Sequence, residues 1–426
     1  MTIRRRRDTV REATVRQLSH ALGDGTFMDP DTLRLLGLNL YELIFFNAHA
    51  NEWFEQVYEN ATDLRIVLEF QPEDVDLMAI PWEFLYVPKE RWRAGGKYIV
   101  RQPKLSLVRR VVRKAADATE IVRPRFLIVD CMPASADATQ PGYQTASQAG
   151  RMCASAPSPE IDQVMAFLET FGDVRCVRFP TIPQLDDAVA GIGNGGSADP
   201  PHVVHLVGHG RFQSGDDAAF EFCLSPRGDG RWERDDRIAE AIGAHTPELV
   251  VLQTCKGGKA DNYQRHEGAA ITLVKRGVPN VVALQQQILV GEATRFVTSF
   301  YEALQQGRPA DVAVKEGRQA LTRSDGPAFG LPVAYFQRDA GFSLPRTPVQ
   351  QTSAPSSTPT EQTYRGVRPE PAPSRSPVPA PNAPAGTPAV VEAGVHRAPL
   401  TTPEPSQGET RPAGSPLSVR LGSKDQ

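Results

Sequence analysis

The sequence predicts an α/β protein in which helices cover both faces of a mostly parallel sheet, a three-layer α/β/α sandwich. Between residues 121 and 344, short apolar runs such as RFLIVDC, HVVHLVG and ELVVLQT alternate with segments of helical periodicity. Runs that are apolar at nearly every position are typical of parallel strands that are buried on both faces. The segments EATRFVTSFYEALQQG and ADVAVKEGRQALTR carry apolar residues on one side, which predicts the helices that cover such a sheet.

Two further elements complete the predicted α/β region. FEFCL and RWE flank the turn sequence PRGDG, and this arrangement predicts a β-hairpin that lies outside the main sheet. Near the end of the region, LPVAYFQ is rich in apolar and aromatic residues and predicts a last strand.

Composition divides the chain into three regions. Residues 1–120 contain helix-rich stretches followed by the strand-like DLRIVLEF and by AIPWEFLY, and their apolar content predicts a region that packs against the α/β unit. Residues 121–344 form the predicted α/β domain. Residues 345–426 hold 17 of the 37 prolines, mixed with Ser, Thr, Ala and Gly, which predicts a disordered tail that serves as a linker or a tether.

Charge and cysteine content argue against several classes of function. Forty-seven basic and 50 acidic residues give a net charge of -3, so no chain-wide basic field predicts binding to nucleic acid or to an anionic membrane. The five cysteines are scattered and include no CxxC pair, which favours a reduced, cytoplasmic protein without a metal or a cofactor. The first residues lack the apolar segment of a secretory signal peptide, and no run reaches the roughly 18 apolar residues of a membrane span.

Two predicted strands end in side chains that can do chemistry. HVVHLVG runs into His209 and Gly210, and ELVVLQT runs into Cys255. Because ligands of open parallel sheets bind outside the carboxyl ends of the strands, these side chains are predicted to face one substrate. The 46 residues from His209 to Cys255 are close to the roughly 50 expected of caspase-type sites.

This pair of strand ends predicts a cysteine nucleophile. A thiolate is the reactive form of cysteine, and a nearby imidazole both favours its formation and can protonate the leaving amine. The backbone amides of Gly210 and Cys255 are the predicted donors to the oxyanion. His205, inside the first strand, is interpreted as a residue for core packing or for orienting His209. A strand-end Cys or His can also be purely structural, and that alternative stays open.

The motifs HVVHLVGHG, ELVVLQTCKGG and GAAITLVKRGVPNVVALQQQI together resemble the CHAT domain family, relatives of caspases and separases. The resemblance takes in AIPWEFLY and FVTSFYEALQQGRPADVAVKEGRQAL, and it covers most of residues 30–340. It implies a caspase-like fold with His209 and Cys255 as the catalytic pair, and it includes Gly210 beside the histidine.

Other positions of the resemblance carry structural expectations. Trp82 and Glu83 match a proline-tryptophan-glutamate motif of the family, and we expect them to brace the two halves of the protein. The sequence departs from the commonest family pattern at Lys256 and at Gln285, where many members carry other residues. Neither departure removes the predicted pair, but Lys256 leaves the substrate preference open.

The resemblance also implies a function. It implies a cysteine endopeptidase that cleaves a specific partner protein after activation by a partner or a ligand, in bacterial signalling, defence or cell death. Two alternatives stay open. One is a catalytically silent scaffold that binds partner proteins, with the proline-rich tail as a tether. The other is a cysteine hydrolase that acts on amides other than peptides.

Acidic residues follow both predicted strand ends. Asp216, Asp217, Asp261 and Glu267 are candidates for binding a basic side chain before the scissile bond. The same carboxylates can equally be solvated charges of surface loops, so the sequence leaves both interpretations open.

Overall fold

The computed structural model describes residues 2–4, 8–23, 29–89, 96–112, 120–132, 159–193, 196–197, 199–213, 219–224, 231–254, 266–285, 288–322, 326–338, 342–346 and 418–423. All of these residues belong to one compact unit, which comprises residues 1–348 and 414–426. Their buried apolar side chains form a single core that extends along the sequence from Val15 to Leu344.

The elements are given in chain order. The strands are β1 (Thr2–Arg4), β2 (Leu64–Phe70), β3 (Tyr86–Val87), β4 (Lys97–Tyr98), β5 (Leu105–Val111), β6 (Arg125–Cys131), β7 (Asp173–Arg178), β8 (Ile192–Gly193), β9 (Gly196–Ser197), β10 (Val203–Gly208), β11 (Gly210–Gln213), β12 (Ala219–Cys223), β13 (Trp232–Arg234), β14 (Leu249–Thr254), β15 (Asn280–Leu284), β16 (Pro332–Phe336) and β17 (Ser418–Ser423). The helices are α1 (Thr9–Gly23), α2 (Pro30–Ile44), α3 (Ala48–Asn60), α4 (Val75–Met78), α5 (Pro159–Glu169), α6 (Ile182–Val189), α7 (Asp235–Gly243), α8 (His266–Arg276), α9 (Val290–Gln305) and α10 (Ala310–Leu321).

One large sheet organises these elements into two parallel blocks. Its strand order is β1-β17-β2-β5-β16-β15-β14-β10-β6-β7. The strands β2, β5 and β16 are parallel to one another, and β15, β14, β10, β6 and β7 form a second parallel block. The blocks meet where β15 and β16 pair antiparallel. The predicted mostly parallel sheet is confirmed, and LPVAYFQ, predicted as a last strand, supplies the interior strand β16.

Helices cover both faces of this sheet. Every residue of β10, β15 and β16 is buried, and because successive side chains of a strand point to opposite faces, both faces must be covered. The helix α9 packs against α5 and α10, while α7 packs against α6 and α8, and these groups form the two outer layers. The predicted three-layer α/β/α sandwich is confirmed. Across the described ranges, no helix combines the length and the apolar character that a membrane span requires.

The N-terminal region contributes strands to the same sheet. The helix α2 begins after Asp29, whose carboxylate accepts hydrogen bonds from the backbone amides of Asp31 and Thr32 (3.0 Å each). It packs against β3 and the short 3-10 turn Trp82–Phe84. The strands β2 and β5 then pair in parallel beside β16. The boundary at residue 120 between two regions stays a prediction.

Two findings concern elements outside the main α/β pattern. The strands β11, β12 and β13 form a separate antiparallel sheet, which confirms that the predicted hairpin lies outside the main sheet. Within the predicted tail, β17 pairs antiparallel with β2, and the sequence analysis did not predict this strand. Residues 347–417 of that tail lie outside the described residues.

Candidate active site

His209 directly follows the strand β10, which lies between β6 and β14 inside the larger parallel block. The last residue of β10, Gly208, is in register with Cys131 of β6 and with Thr254 of β14. The carboxyl ends of three neighbouring strands therefore lie side by side at one edge of the sheet. This edge is where an open parallel sheet is expected to bind a ligand.

His209 links this edge to the small antiparallel sheet. Its carbonyl oxygen accepts a hydrogen bond from the backbone amide of Cys223 (2.9 Å), and Gly210 begins β11 opposite Phe222. Residue pairs in an antiparallel ladder alternate between hydrogen-bonded and non-hydrogen-bonded, so the amide of Gly210 points away from β12. The imidazole of His209 is half-buried. Its Nδ1 atom is buried and has no hydrogen-bond partner among the described residues.

Most of the other sequence-predicted site residues lie outside the described residues. These are Cys255, Asp216, Asp217 and Asp261. Glu267 lies in the first turn of α8. Within the described ranges, no group of three or more His, Cys, Asp or Glu residues is arranged to hold a metal ion.

A buried hydrogen bond beneath the edge joins the two central strands. Nε2 of His205 in β10 lies 3.1 Å from Oε1 of Gln253 in β14, and both side chains are buried. An amide oxygen can only accept, so His205 donates from Nε2, and Nδ1 is its unprotonated nitrogen. The ring of Tyr301 from α9 lies beside it, with the centroids 5.7 Å apart. Burial lowers the pKa of His205 to about 4, so this ring is neutral at pH 7 and suits the core-packing interpretation.

The sequence analysis missed Gln253. The available signal was its position in LQT, where a polar residue interrupts an apolar strand two residues before Cys255. In the structure the side chain of Gln253 is 3% exposed, and its contact with His205 ties β14 to β10 within three residues of the ends of both strands. Gln253 therefore helps to fix the relative position of the two strand ends that carry the candidate pair.

A buried ion pair lies at the same edge on the other side of β10. Asp130 of β6 and Arg178 of β7 are in register, and Nε of Arg178 lies 2.9 Å from Oδ2 of Asp130. Oδ1 of Asp130 accepts a hydrogen bond from the backbone amide of Met132, and Arg178 donates to the carbonyl oxygen of Met132 (2.9 Å each). These contacts fix the chain where it leaves β6. The sequence analysis missed the pair, although Asp130 breaks an apolar strand at its end.

The proline-tryptophan-glutamate motif lies in a fully buried polar network. Glu83 has no exposed surface, and it pairs with Arg109 of β5 (Nη2 to Oε2, 2.5 Å) and with Arg318 of α10 (Nη2 to Oε1, 3.3 Å). Gln285, the first residue after β15, donates from Nε2 to Oε2 of Glu83 (2.7 Å). Arg109 also donates from Nη1 to the hydroxyl of Tyr335 (3.0 Å). One carboxylate therefore joins both parallel blocks and a covering helix.

The charges of this network balance only in part. Burial lowers the pKa of Arg318 to about 10 and the carboxylate of Glu83 opposes that shift, so the guanidinium stays charged at pH 7.

Trp82 is also fully buried and donates from Nε1 to the carbonyl oxygen of Leu77 (2.8 Å). The contacts of Glu83 with Arg318 and Gln285 confirm its predicted bracing role, whereas the hydrogen bond of Trp82 stays within the first 120 residues. The side chain of Gln285 is an integral part of the brace.

Substitution of Gly208 by alanine is expected to destabilise the protein by about 1–3 kcal/mol. An added Cβ atom would lie 2.9 Å from Cβ of Cys131 in the neighbouring strand, a contact that only a backbone shift can relieve. Urea denaturation measures the loss. Gly326→Ala is the control, because an added Cβ there meets no atom of the described residues within 4 Å. A loss no larger than that of the control contradicts the close packing of β10 on β6.

The model of the CHAT domain family matches residues 34–372. This range includes the larger parallel block, the brace around Glu83, and the strand ends that precede His209 and Cys255. This chain belongs to the CHAT domain family. The resemblance stated from the sequence motifs is thereby confirmed. No curated protein sequence matches this CHAT-family chain.

Comparison with solved structures finds similarity to a gingipain and to a separase. The Arg-specific cysteine proteinase gingipain R is 10% identical, with a TM-score of 0.37, over 76% of this chain and 74% of the gingipain chain. The separase of Saccharomyces cerevisiae in its complex with securin is 12% identical, with a TM-score of 0.34, over 78% of this chain. The match covers 22% of the separase chain, so this chain corresponds to a small part of that protein.

Proposed function

We propose that this CHAT-family chain is a cysteine endopeptidase in which Cys255 is the nucleophile and His209 is the general base and acid. The observation that carries the proposal is the register of β10 and β14, in which Gly208 pairs with Thr254. His209 and Cys255 are the residues that follow these two positions. Neighbouring strands lie about 4.8 Å apart and consecutive Cα atoms about 3.8 Å apart, so the two Cα atoms are at most about 12 Å apart.

The surroundings of His209 also support the proposal. Because Nδ1 is buried without a partner in the described part of the chain, the imidazole keeps hydrogen-bonding capacity that catalysis can use. The backbone amide of Gly210 points away from β12, which makes it a suitable donor to an oxyanion. The amide of Cys255 is the second proposed donor.

The proposed reaction has two steps. The thiolate of Cys255 attacks the carbonyl carbon of the scissile bond, and the oxyanion formed accepts hydrogen bonds from the two amides. The C–N bond then breaks, the imidazolium of His209 gives its proton to the leaving amine, and a thioester remains. In the second step His209 takes a proton from water, whose oxygen attacks the thioester. The acyl group leaves as a carboxylic acid, and the thiolate returns.

The proposed substrate is a specific partner protein, cleaved in the cytoplasm after activation by a partner or a ligand. The proposed cleavage takes part in bacterial signalling, defence or cell death. Membership of the CHAT domain family supports this part of the proposal. In the sequence Asp261 lies between β14 and α8, directly after the strand end that precedes Cys255, and Asp216 lies between β11 and β12, one short strand after His209. We propose that they select a basic side chain before the scissile bond.

Labelling with iodoacetamide at neutral pH tests the proposed pair. The full chain, Cys255→Ala and His209→Ala are each treated, and mass spectrometry follows every cysteine separately. Cys255 is expected to react roughly tenfold or more faster than an ordinary exposed thiol, because an adjacent imidazole raises the thiolate fraction. The rate is expected to fall about tenfold in His209→Ala. The buried thiols of Cys131, Cys176 and Cys223 serve as slow internal references.

A matched histidine substitution controls for indirect effects. Nε2 of His245 lies 3.0 Å from Oδ1 of Asp186. His245 belongs to the loop between α7 and the amino end of β14, whereas Cys255 follows the carboxyl end of that strand. His245→Ala is therefore expected to leave the labelling of Cys255 unchanged. If Cys255 reacts at the rate of an ordinary thiol and His209→Ala does not change that rate, the dyad is contradicted. The alternative of a catalytically silent scaffold that binds partner proteins is then favoured.

A further inference from the structure

The strand β2 presents an edge that needs a cover. Its sequence, LRIVLEF, alternates buried residues (Leu64, Ile66, Leu68 and Phe70) with half-buried ones. One side of β2 pairs with β5 along its whole length. The opposite side carries a row of backbone N–H and C=O groups on an apolar strand of high β-propensity, the kind of edge that pairs with other chains unless it is covered.

The cover comes from the far end of the sequence. The strand β17 pairs antiparallel with β2 over six residues, from Ser418 opposite Glu69 to Ser423 opposite Leu64. Within this register Val419 stands opposite Leu68, and Leu421 stands opposite Ile66. The segment SVRLGS therefore brings its two apolar residues into register with two buried positions of β2.

The N-terminal strand holds the other side of this segment. Thr2 of β1 is in register with Arg420, so the first half of β17 is paired on both sides. Residues 347–417 join β17 to the rest of the unit, and about 70 residues have a contour length of roughly 230 Å. Because the segment is covalently attached, its effective concentration at β2 stays far above that of a free peptide when it separates from the strand.

We propose that the outer edge of β2 is a strand-docking site whose occupant is this chain's own segment Ser418–Ser423, docking in cis and reversibly. Recognition is by the backbone ladder, and the alternation of apolar and polar residues sets the register. The ligand class of this site is an extended peptide that alternates apolar and polar residues. The site is independent of the strand ends that carry the candidate dyad.

Hydrogen exchange of the full chain tests this proposal with the variant Arg420→Pro/Leu421→Pro. Successive N–H groups of a strand point to opposite sides, so one of the two prolines removes an N–H that faces β2. The amides of residues 64–70 that face β17 are expected to lose protection by roughly tenfold to a hundredfold, because that side of β2 then opens locally, whereas those that face β5 keep theirs. Protection of β10 and β14 is expected to stay unchanged. The conservative variant Arg420→Lys/Leu421→Ile is expected to match the wild type.

A synthetic peptide of residues 414–426 provides the second measurement. Added in excess to the proline variant, it is expected to restore protection of residues 64–70, whereas a scrambled peptide is not. Unchanged protection in the proline variant, or no restoration by the peptide, overturns the proposal. Wild-type protection that rises with protein concentration also overturns it, since the segment then docks from a second copy.

Discussion

Replacing Glu83 with alanine is expected to lower the free energy of unfolding by about 3–5 kcal/mol. The carboxylate is fully buried and balances two buried guanidinium groups, those of Arg109 and Arg318. Its removal leaves both cations without their partner in a site that water does not reach. Gln285 also loses the acceptor of its 2.7 Å hydrogen bond. Urea denaturation followed by circular dichroism measures the loss.

Two further variants separate charge from shape at this position. Glu83→Gln keeps the volume and one acceptor but removes the charge, so its loss is expected to approach that of the alanine variant. Glu240→Ala removes an exposed carboxylate that lies 3.7 Å from Arg276, and it is expected to cost less than about 1 kcal/mol. A loss of that small size at Glu83 contradicts the role of the network as a brace.

Lowering the pH from 7 to 4 is expected to cost the wild type about 3 kcal/mol through His205 alone. The folded-state pKa of His205 is about 4, below the value of 6.5 for an exposed ring. Between these values the unfolded chain binds a proton that the folded chain does not, so stability falls as the pH decreases through this window. The loss of stability reaches its full size below about pH 4.

The variant His205→Gln isolates this contribution. Glutamine is uncharged and can still hydrogen-bond the side chain of Gln253, so the contribution of this position is expected not to change between pH 7 and pH 4. The unfolding free energies of variant and wild type are measured at both pH values. In their difference the contributions of the other titrating groups cancel. His245→Gln, at a half-buried surface position, is the matched control. A difference that stays constant with pH shows that the ring of His205 is not held neutral.

The brace and the neutral histidine act on the same region of the sheet. Gln285 follows β15, and β15 pairs with β14, the strand that leads to Cys255. His205 and Gln253 tie β14 to β10, the strand that leads to His209. These contacts fix the strand ends in the folded protein before any substrate binds, as the proposed dyad requires.

Local patterns in the sequence were sufficient to predict the main strands and covering helices of the α/β region and the position of His209 at a strand end. HVVHLVG is apolar enough to require burial on both faces, so it predicted β10 and placed His209 at its carboxyl end. The one-sided periodicity of α9 and α10 likewise predicted covering helices. Motifs of this kind depend on residues that are neighbours in the chain, and such residues interact whatever the rest of the fold does.

Only the tertiary structure decided which distant residues meet. The partners of Glu83 are Arg109, Gln285 and Arg318, which lie 26, 202 and 235 positions away, and no local pattern marks them as partners. The sequence patterns also did not indicate that β15 pairs antiparallel with β16 or that β17 pairs with β2. Strands pair through backbone groups that every residue carries, so a local pattern does not identify the partner of a strand. The sequence by itself determined the main strands of the α/β region and the histidine at a strand end. Packing of the whole chain decided which strands became neighbours.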